Sequence, residues 1–237
     1  MTIVVLTGAG ISAESGITTF RDSNGLWENH RIEDVATPEG WKRNPALVLD
    51  FYNQRRRQLF DVVPNAAHLA ITQLQEHFDV QVITQNVDDL HERAGNKDVL
   101  HLHGALRKVR SERYPDLVYD WEKDLHLGDL CEMGGQLRPH IVWFGEEVPM
   151  LPMAAQIAKQ ADVFLIVGTS LQVYPAASLM VYADPTIPFY YIDPNPQVNY
   201  ELAQMKNLVV LEEAATVGLP KVVERLMSTY NNAVKKP

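Results

Sequence analysis

The chain has 237 residues, 46% hydrophobic and 22% charged, which allows one or two globular domains with cores of their own. Its single cysteine, Cys131, excludes a disulfide framework and a cysteine-rich metal site. With 21 basic and 30 acidic residues, the net charge of −9 leaves no footprint for nucleic acid and is repelled by anionic membranes.

No run approaches the ~18 apolar residues of a membrane span. The N-terminal MTIVVLTGAGIS has no basic residue before its apolar stretch and no room for a cleavage region. Residues 3–6 are therefore expected as the first strand of a cytoplasmic protein. Directly after them comes Gly8-Ala9-Gly10-Ile11-Ser12-Ala13, a G-x-G-x-x-A pattern. In a phosphate loop Gly8 permits the tight turn and Gly10 a close backbone approach. Ala13 lets the next helix pack on the strand, with that helix's free N–H groups turned to a pyrophosphate. The plainer alternative is a mere turn. A hydride-transfer enzyme of this type closes a second strand with an acid about 20 residues on. Residues 14–22 (ESGITTFRD) do not form such a strand, so any cofactor is held differently for a different chemistry.

Residues 22–65 break the strand–helix rhythm and contain one basic helix-like stretch, 50–60. Residues 66–78 then form a helix face through Leu69, Ile71, Leu74 and Phe78, and 80–83 a buried strand. That strand runs into Gln85-Asn86-Val87-Asp88, polar groups where catalytic residues sit in such sheets; Asn and Asp bonding their own turn is the alternative. His101-Leu102-His103-Gly104 places two histidines at strand spacing. A metal pair would need a third ligand, which no regular spacing supplies, and a structural histidine is the commoner outcome. Residues 104–145 show little periodicity and, with 22–65, are expected to form a smaller lobe. A helix over 153–161, strands over 163–167, 189–192 and 208–211, and a helix over 217–230 follow, with 231–237 as a frayed tail. The first of these strands runs into Gly168-Thr169-Ser170, suited to ribose or phosphate. The whole predicts an α/β fold, a Rossmann-like doubly wound parallel sheet with an inserted lobe. Its larger part spans about 1–21, 66–103 and 146–230. Three polar sets at strand ends, added to the Gly8 loop, make a dinucleotide site the most economical expectation.

Together the segments 8–17, Thr19-Phe20-Arg21, 85–88, 101–104, Val142-Trp143-Phe144-Gly145-Glu146 and 168–170 resemble the sirtuins of bacterial type, in family order over nearly the whole chain. Sirtuins are NAD-dependent protein lysine deacylases. The resemblance implies a single catalytic domain that consumes NAD, releasing nicotinamide and O-acyl-ADP-ribose as it deacylates lysine in a protein partner. It implies that Asn86 and Asp88 hold nicotinamide and ribose, and that Phe20 and Arg21 belong to a mobile cofactor loop. His103 would be the general base for a ribose hydroxyl, a role suited to a side chain with an ordinary pKa near 6.5. Gly8, Ala9, Gly10, Ser12, Ala13, Thr19, Gln85, Gly168, Thr169, Ser170, Asp193 and Ala215 match cofactor positions. Val142–Glu146 would pair with the substrate peptide as an added strand. Ala36, Tyr52 and Arg55 fall where desuccinylase-type members carry Ala, Tyr and Arg. Tyr52 and Arg55, i and i+3 on a helix, would grip a distal carboxylate and Ala36 leave room for the acyl chain; the alternative is that Arg55-Arg56-Arg57 are three solvated charges.

The family's structural zinc uses two Cys-x-x-Cys pairs. Here residues 107–114 contain no cysteine, Leu130 and Met133 stand at the second pair's positions, and Cys131 is out of register. No structural zinc is expected, since one thiolate cannot make a tetrahedral sulfur site. Arg21-Asp22 also replaces the common Arg-Gly. A sirtuin-fold ADP-ribosyltransferase or NAD hydrolase is the alternative function, and an NAD sensor without turnover a third; His103 and 142–146 favour the deacylase.

Overall fold

A computed structural model describes residues 1–18, 26–27 and 29–234; Thr19, Phe20, Arg21 and Asp22 lie outside the described residues. The first half of the main sheet is β1 (Thr2–Thr7), β4 (Asp79–Thr84) and β5 (Val99–His101). The second half is β9 (Val163–Val167), β10 (Pro188–Ile192) and β11 (Asn207–Leu211). All neighbours pair in parallel, in the order β11-β10-β9-β1-β4-β5. This is the doubly wound dinucleotide-binding order, and its reversal of direction falls between β1 and β9.

Alternate residues explain why these strands are apolar throughout. Ile3, Val5, Val80, Val82 and Leu165 pack on one face against α4 (Ala66–Gln75) and α8 (Ala215–Val234). Val4, Leu6, Ile83, Phe164 and Ile166 pack on the other, against α6 (Leu151–Ala158) and a 3₁₀ segment, Ala176–Tyr182. Covered on both faces, a strand has no polar side to show.

Several expectations are corrected. After β1 come two 3₁₀ turns, Ala9–Ile11 and Ala13–Ser15, not an α-helix. Ala13 is exposed and packs no helix onto the strand. The C-terminal helix continues to Val234, so residues 231–234 are not a frayed tail, whereas 235–237 lie outside the described residues.

The smaller lobe has its own core around Val48, Phe51, Leu125 and Trp143. One part holds the short antiparallel pair β2 (Leu26–Trp27) and β3 (His30–Arg31), followed by α1 (Ile32–Val35), α2 (Pro38–Arg43) and α3 (Pro45–Gln58). Asn44 caps α3 by accepting from Leu47 N, with Pro45 in the first turn where no amide partner is needed. The other part is an antiparallel sheet of β6 (Gly104–Ser111), β7 (Val118–Asp120) and β8 (Leu137–Ile141). The weak periodicity of 104–145 reflects short strands joined by long turns. Asn53 and Arg56 fasten the two parts. Asn53 donates to Leu125 O (3.0 Å) and accepts from Leu125 N (2.9 Å), while Arg56 donates to Leu106 O (2.8 Å). Arg55 and Arg56 are buried and only Arg57 is largely exposed, so the reading of three solvated charges fails.

Candidate active site

A cavity of about 980 Å³ opens at the carboxyl edge of the main sheet, where its two halves meet and the smaller lobe overhangs. Ligand crevices in doubly wound sheets occupy this position. The loops leaving β1 and β9 touch there. A Cβ on Gly8 would lie 2.7 Å from Thr169 Cβ, and one on Gly10 2.7 Å from Gly168 Cα. Gly168, at φ +61°, would place its own 2.2 Å from Ile11 N. Gly8 has extended backbone, so its glycine is explained by loop-to-loop contact. Gln85 ties the β4 end to the same place, its Nε2 donating to Thr169 Oγ1 at 3.0 Å.

Gly8, Ala9, Gly10, Ala13, Gln85, Asn86 and Asp88 line the cavity, as do Gly168, Thr169, Ser170, Asp193 and Ala215. Ser12 is fully buried behind the wall, where its hydroxyl accepts from Asn86 Nδ2 (3.1 Å) and donates to Asp88 Oδ2 (3.0 Å). Asp88 Oδ1 accepts from Leu90 N at 3.1 Å. Burial raises the Asp88 pKa above the ordinary carboxylate value, partly offset by these donors.

The two histidines of the His-x-His pair divide sharply. His101 ends β5 with Nδ1 on Asn86 O (2.9 Å) and Nε2 on Glu92 Oε1 (2.7 Å). Two acceptors require two ring protons. Burial disfavours that charge, but Glu92 foremost, with Asn86 O and Asp88, outweighs it and raises the pKa. Both nitrogens being spent, His101 has no lone pair for a metal. His103 lines the cavity and makes one such contact, Nδ1 with Gln85 O at 3.0 Å. A carbonyl only accepts, so Nδ1 carries the proton of the neutral ring and Nε2 keeps its lone pair. Burial holds the His103 pKa below its ordinary value despite the contact with Gln85 O. Gly104 then turns the chain at φ +83°, with a virtual Cβ 1.9 Å from His140 O.

Ala36, Tyr52 and Arg55 line the small-lobe wall with Val142, Trp143, Phe144, Gly145 and Glu146. Arg55 stacks on the Phe51 ring at 3.7 Å and donates from Nη1 to Phe51 O at 2.6 Å. Tyr52 is fully buried, its hydroxyl accepting from Trp143 Nε1 at 3.1 Å. Residues 142–146 are not a strand. β8 stops at Ile141 and the chain turns through Gly145 at φ +91°. The amides of Val142, Phe144 and Glu146 are taken by His103 O, Ala36 O and Trp143 O. An incoming peptide would meet a pinned turn.

Glu14, part of the 8–17 motif but given no role in the sequence, also lines the cavity, as do Gln172, Tyr174, Asn195 and Trp27, which sequence reasoning missed. Glu14 is anchored by Thr216, whose hydroxyl donates to Oε2 at 2.6 Å; a partner 202 residues away leaves no local signal.

At the degenerate metal knuckle Leu130 and Met133 are exposed, while Cys131 is buried with its sulfur accepting from Gly135 N at 3.3 Å and 3.4 Å from Ser111 Oγ. One sulfur does not fit a family zinc site. Among the described residues no group of three or more His, Cys, Asp or Glu could hold a metal, and no described helix is long and apolar enough to cross a membrane.

Sheet order, cavity and strand-end polar groups define a dinucleotide-binding α/β protein. The Sir2 family pattern matches residues 8–175, and the chain belongs to the Sir2 family. It is 56% identical over 99% of both chains to an NAD-dependent protein deacylase of Helicobacter pylori. It is 48% identical to a protein of the same name from Bacteroides thetaiotaomicron, over 95% of this chain and 97% of that one. Among solved structures it resembles a Sir2 homolog–NAD complex, with TM-score 0.83, 36% identity, and 96% and 90% of the chains covered. It also resembles a Sir2 protein bound to acetylated peptide, with TM-score 0.76, 27% identity, and 97% and 93% covered.

Proposed function

We propose that this chain is a cytoplasmic NAD-dependent protein lysine deacylase that removes acetyl and succinyl-type groups. The observation that carries the reading is His103, a neutral imidazole whose Nδ1 is fixed by Gln85 O and whose basic Nε2 is left for the cavity. NAD, when bound, supplies a labile bond to nicotinamide and a ribose carbon open to the amide oxygen of an acyl-lysine. The cavity walls suit it: Gly8, Ala9, Gly10 and Ala13 present backbone where phosphates belong, and Gly168, Thr169, Ser170, Asp193 and Ala215 complete the cofactor wall. Asn86 and Asp88 would hold the nicotinamide and ribose, braced from behind by Ser12. His103 Nε2 would take the proton of a ribose hydroxyl, so that its oxygen can attack the acyl carbon. Thr19, Phe20 and Arg21 complete the cofactor loop in this reading.

The peptide would lie along the turn 142–146. At the pocket floor the Arg55 guanidinium and the Tyr52 phenol would bind a distal carboxylate, with small Ala36 giving the chain room. The smaller lobe would hold together without zinc, through its core and the Asn53 and Arg56 clamps. The test is incubation with NAD and an acetylated or succinylated peptide. Nicotinamide, deacylated peptide and O-acyl-ADP-ribose in equal amounts are expected, and all three should vanish in His103→Ala. Free ADP-ribose with the peptide still acylated would instead mark an NAD hydrolase.

A further inference from the structure

One side chain outside the cavity is bonded to the segment that holds the acyl pocket. Arg138, on β8, is absent from the cavity wall and only 7% exposed. Its guanidinium carbon lies 3.2 Å from the centre of the Trp143 ring. It grips Glu146 with two parallel contacts, Nη1 to Oε1 at 2.7 Å and Nη2 to Oε2 at 3.1 Å, and Nη2 also donates to Ile141 O at 3.0 Å. Glu146 in turn accepts from Trp143 N at 2.8 Å and from Arg110 Nη2. Trp143 is therefore held by its backbone through Glu146 and by its ring through Arg138. The indole N–H ends on the Tyr52 hydroxyl oxygen.

That last contact has a directional consequence. A phenol oxygen that accepts from one side must send its own hydrogen elsewhere, and that hydrogen prefers the plane of its ring. The Trp143 donor thus bars the Tyr52 proton from the Trp143 side. Burial of Tyr52, only partly countered by Trp143 and by the charges of Arg138 and Arg55, raises its pKa, so the proton stays on. Both Arg138 Nη atoms are engaged by Glu146, which suits Arg138 as a brace more than as an anion ligand.

We propose that Arg138 is a positioning residue for acidic-acyl selectivity, fixing Trp143 so that the Tyr52 hydroxyl donates to the carboxylate of a succinyl-type substrate. The inference rests on the assignment of Tyr52 and Arg55 to the acyl carboxylate. An acetyl group carries no carboxylate and does not need that proton.

The test compares Arg138→Lys and Arg138→Met with Arg55→Met, using succinyl- and acetyl-peptides under saturating NAD. Lysine keeps a cation beside Glu146 but loses the flat stack and the two-pronged grip. Both Arg138 variants should lower the succinyl-to-acetyl ratio of kcat/KM about tenfold, mainly through a higher KM for the succinyl-peptide. A merely structural defect would lower both substrates together. An unchanged ratio in Arg138→Lys, with a selective loss in Arg55→Met, overturns the role of Arg138 and spares the pocket assignment. If Arg55→Met loses both activities equally, the pocket assignment itself fails. Should the Arg138 variants not fold, Trp143→Phe removes the N–H donor while keeping an aromatic ring; the same fall in ratio is expected, and a ratio like that of the parent chain overturns the inference.

Discussion

Arg55→Met isolates the charge at the pocket floor. Methionine keeps much of the unbranched apolar body of arginine, and Phe51 O keeps its partner in the α3 backbone ladder. What is removed is the guanidinium of a buried residue, already ordered by Phe51 stacking and a 2.6 Å bond to its own helix. Because the donor is fixed before the ligand arrives, little ordering entropy offsets the contact. A hydrogen bond to a charged partner is worth about 1.5–3 kcal/mol, which at 1.36 kcal/mol per decade is roughly a 10- to 160-fold loss. Desuccinylation kcat/KM should fall by that factor and deacetylation by about twofold at most, measured by following nicotinamide release on matched peptides. Equal losses on both substrates would refute the reasoning.

His103 gives the pH dependence a sign. Its neutral ring, protonated at Nδ1 only, is the active form and burial lowers its pKa, so activity persists as pH falls to about 6.5 and is lost below it. A limb in kcat/KM centred above that pH would contradict the assignment. Gly104→Ala forces a side chain into φ +83° and onto His140 O; a loss of about 3 kcal/mol or more in urea unfolding is expected, with deacylation abolished. Metal analysis should find no stoichiometric zinc, and Cys131→Ser should cost no more than about 2 kcal/mol, the scale of one buried hydrogen-bonding group. Stoichiometric zinc in both proteins would show a site of other ligands.

Much of the sheet was legible because its strands are buried on both faces: 163–167 is apolar at every position and was read to its observed limits. The three-residue β5 was too short to announce itself, and β6 to β8 depend on pairings across long turns. The strand-end clusters could be read as chemistry, yet not which histidine was the base. That distinction turns on Glu92 Oε1 reaching His101 and no acid reaching His103. Ser12 illustrates another limit: its motif position suggested cofactor contact, while its burial gives it a bracing role between Asn86 and Asp88.

Four neighbouring positions of α3 have opposite allegiances. Tyr52 and Arg55 turn to the ligand cavity, whereas Asn53 and Arg56 bind the loop at Leu125 and the strand at Leu106. A slight rotation of this helix would therefore disturb substrate choice and lobe integrity at once. Grafting the acyl specificity onto another scaffold would require carrying along the strap of chain that Asn53 and Arg56 hold, because the recognition pair inherits its aim from the pair behind it.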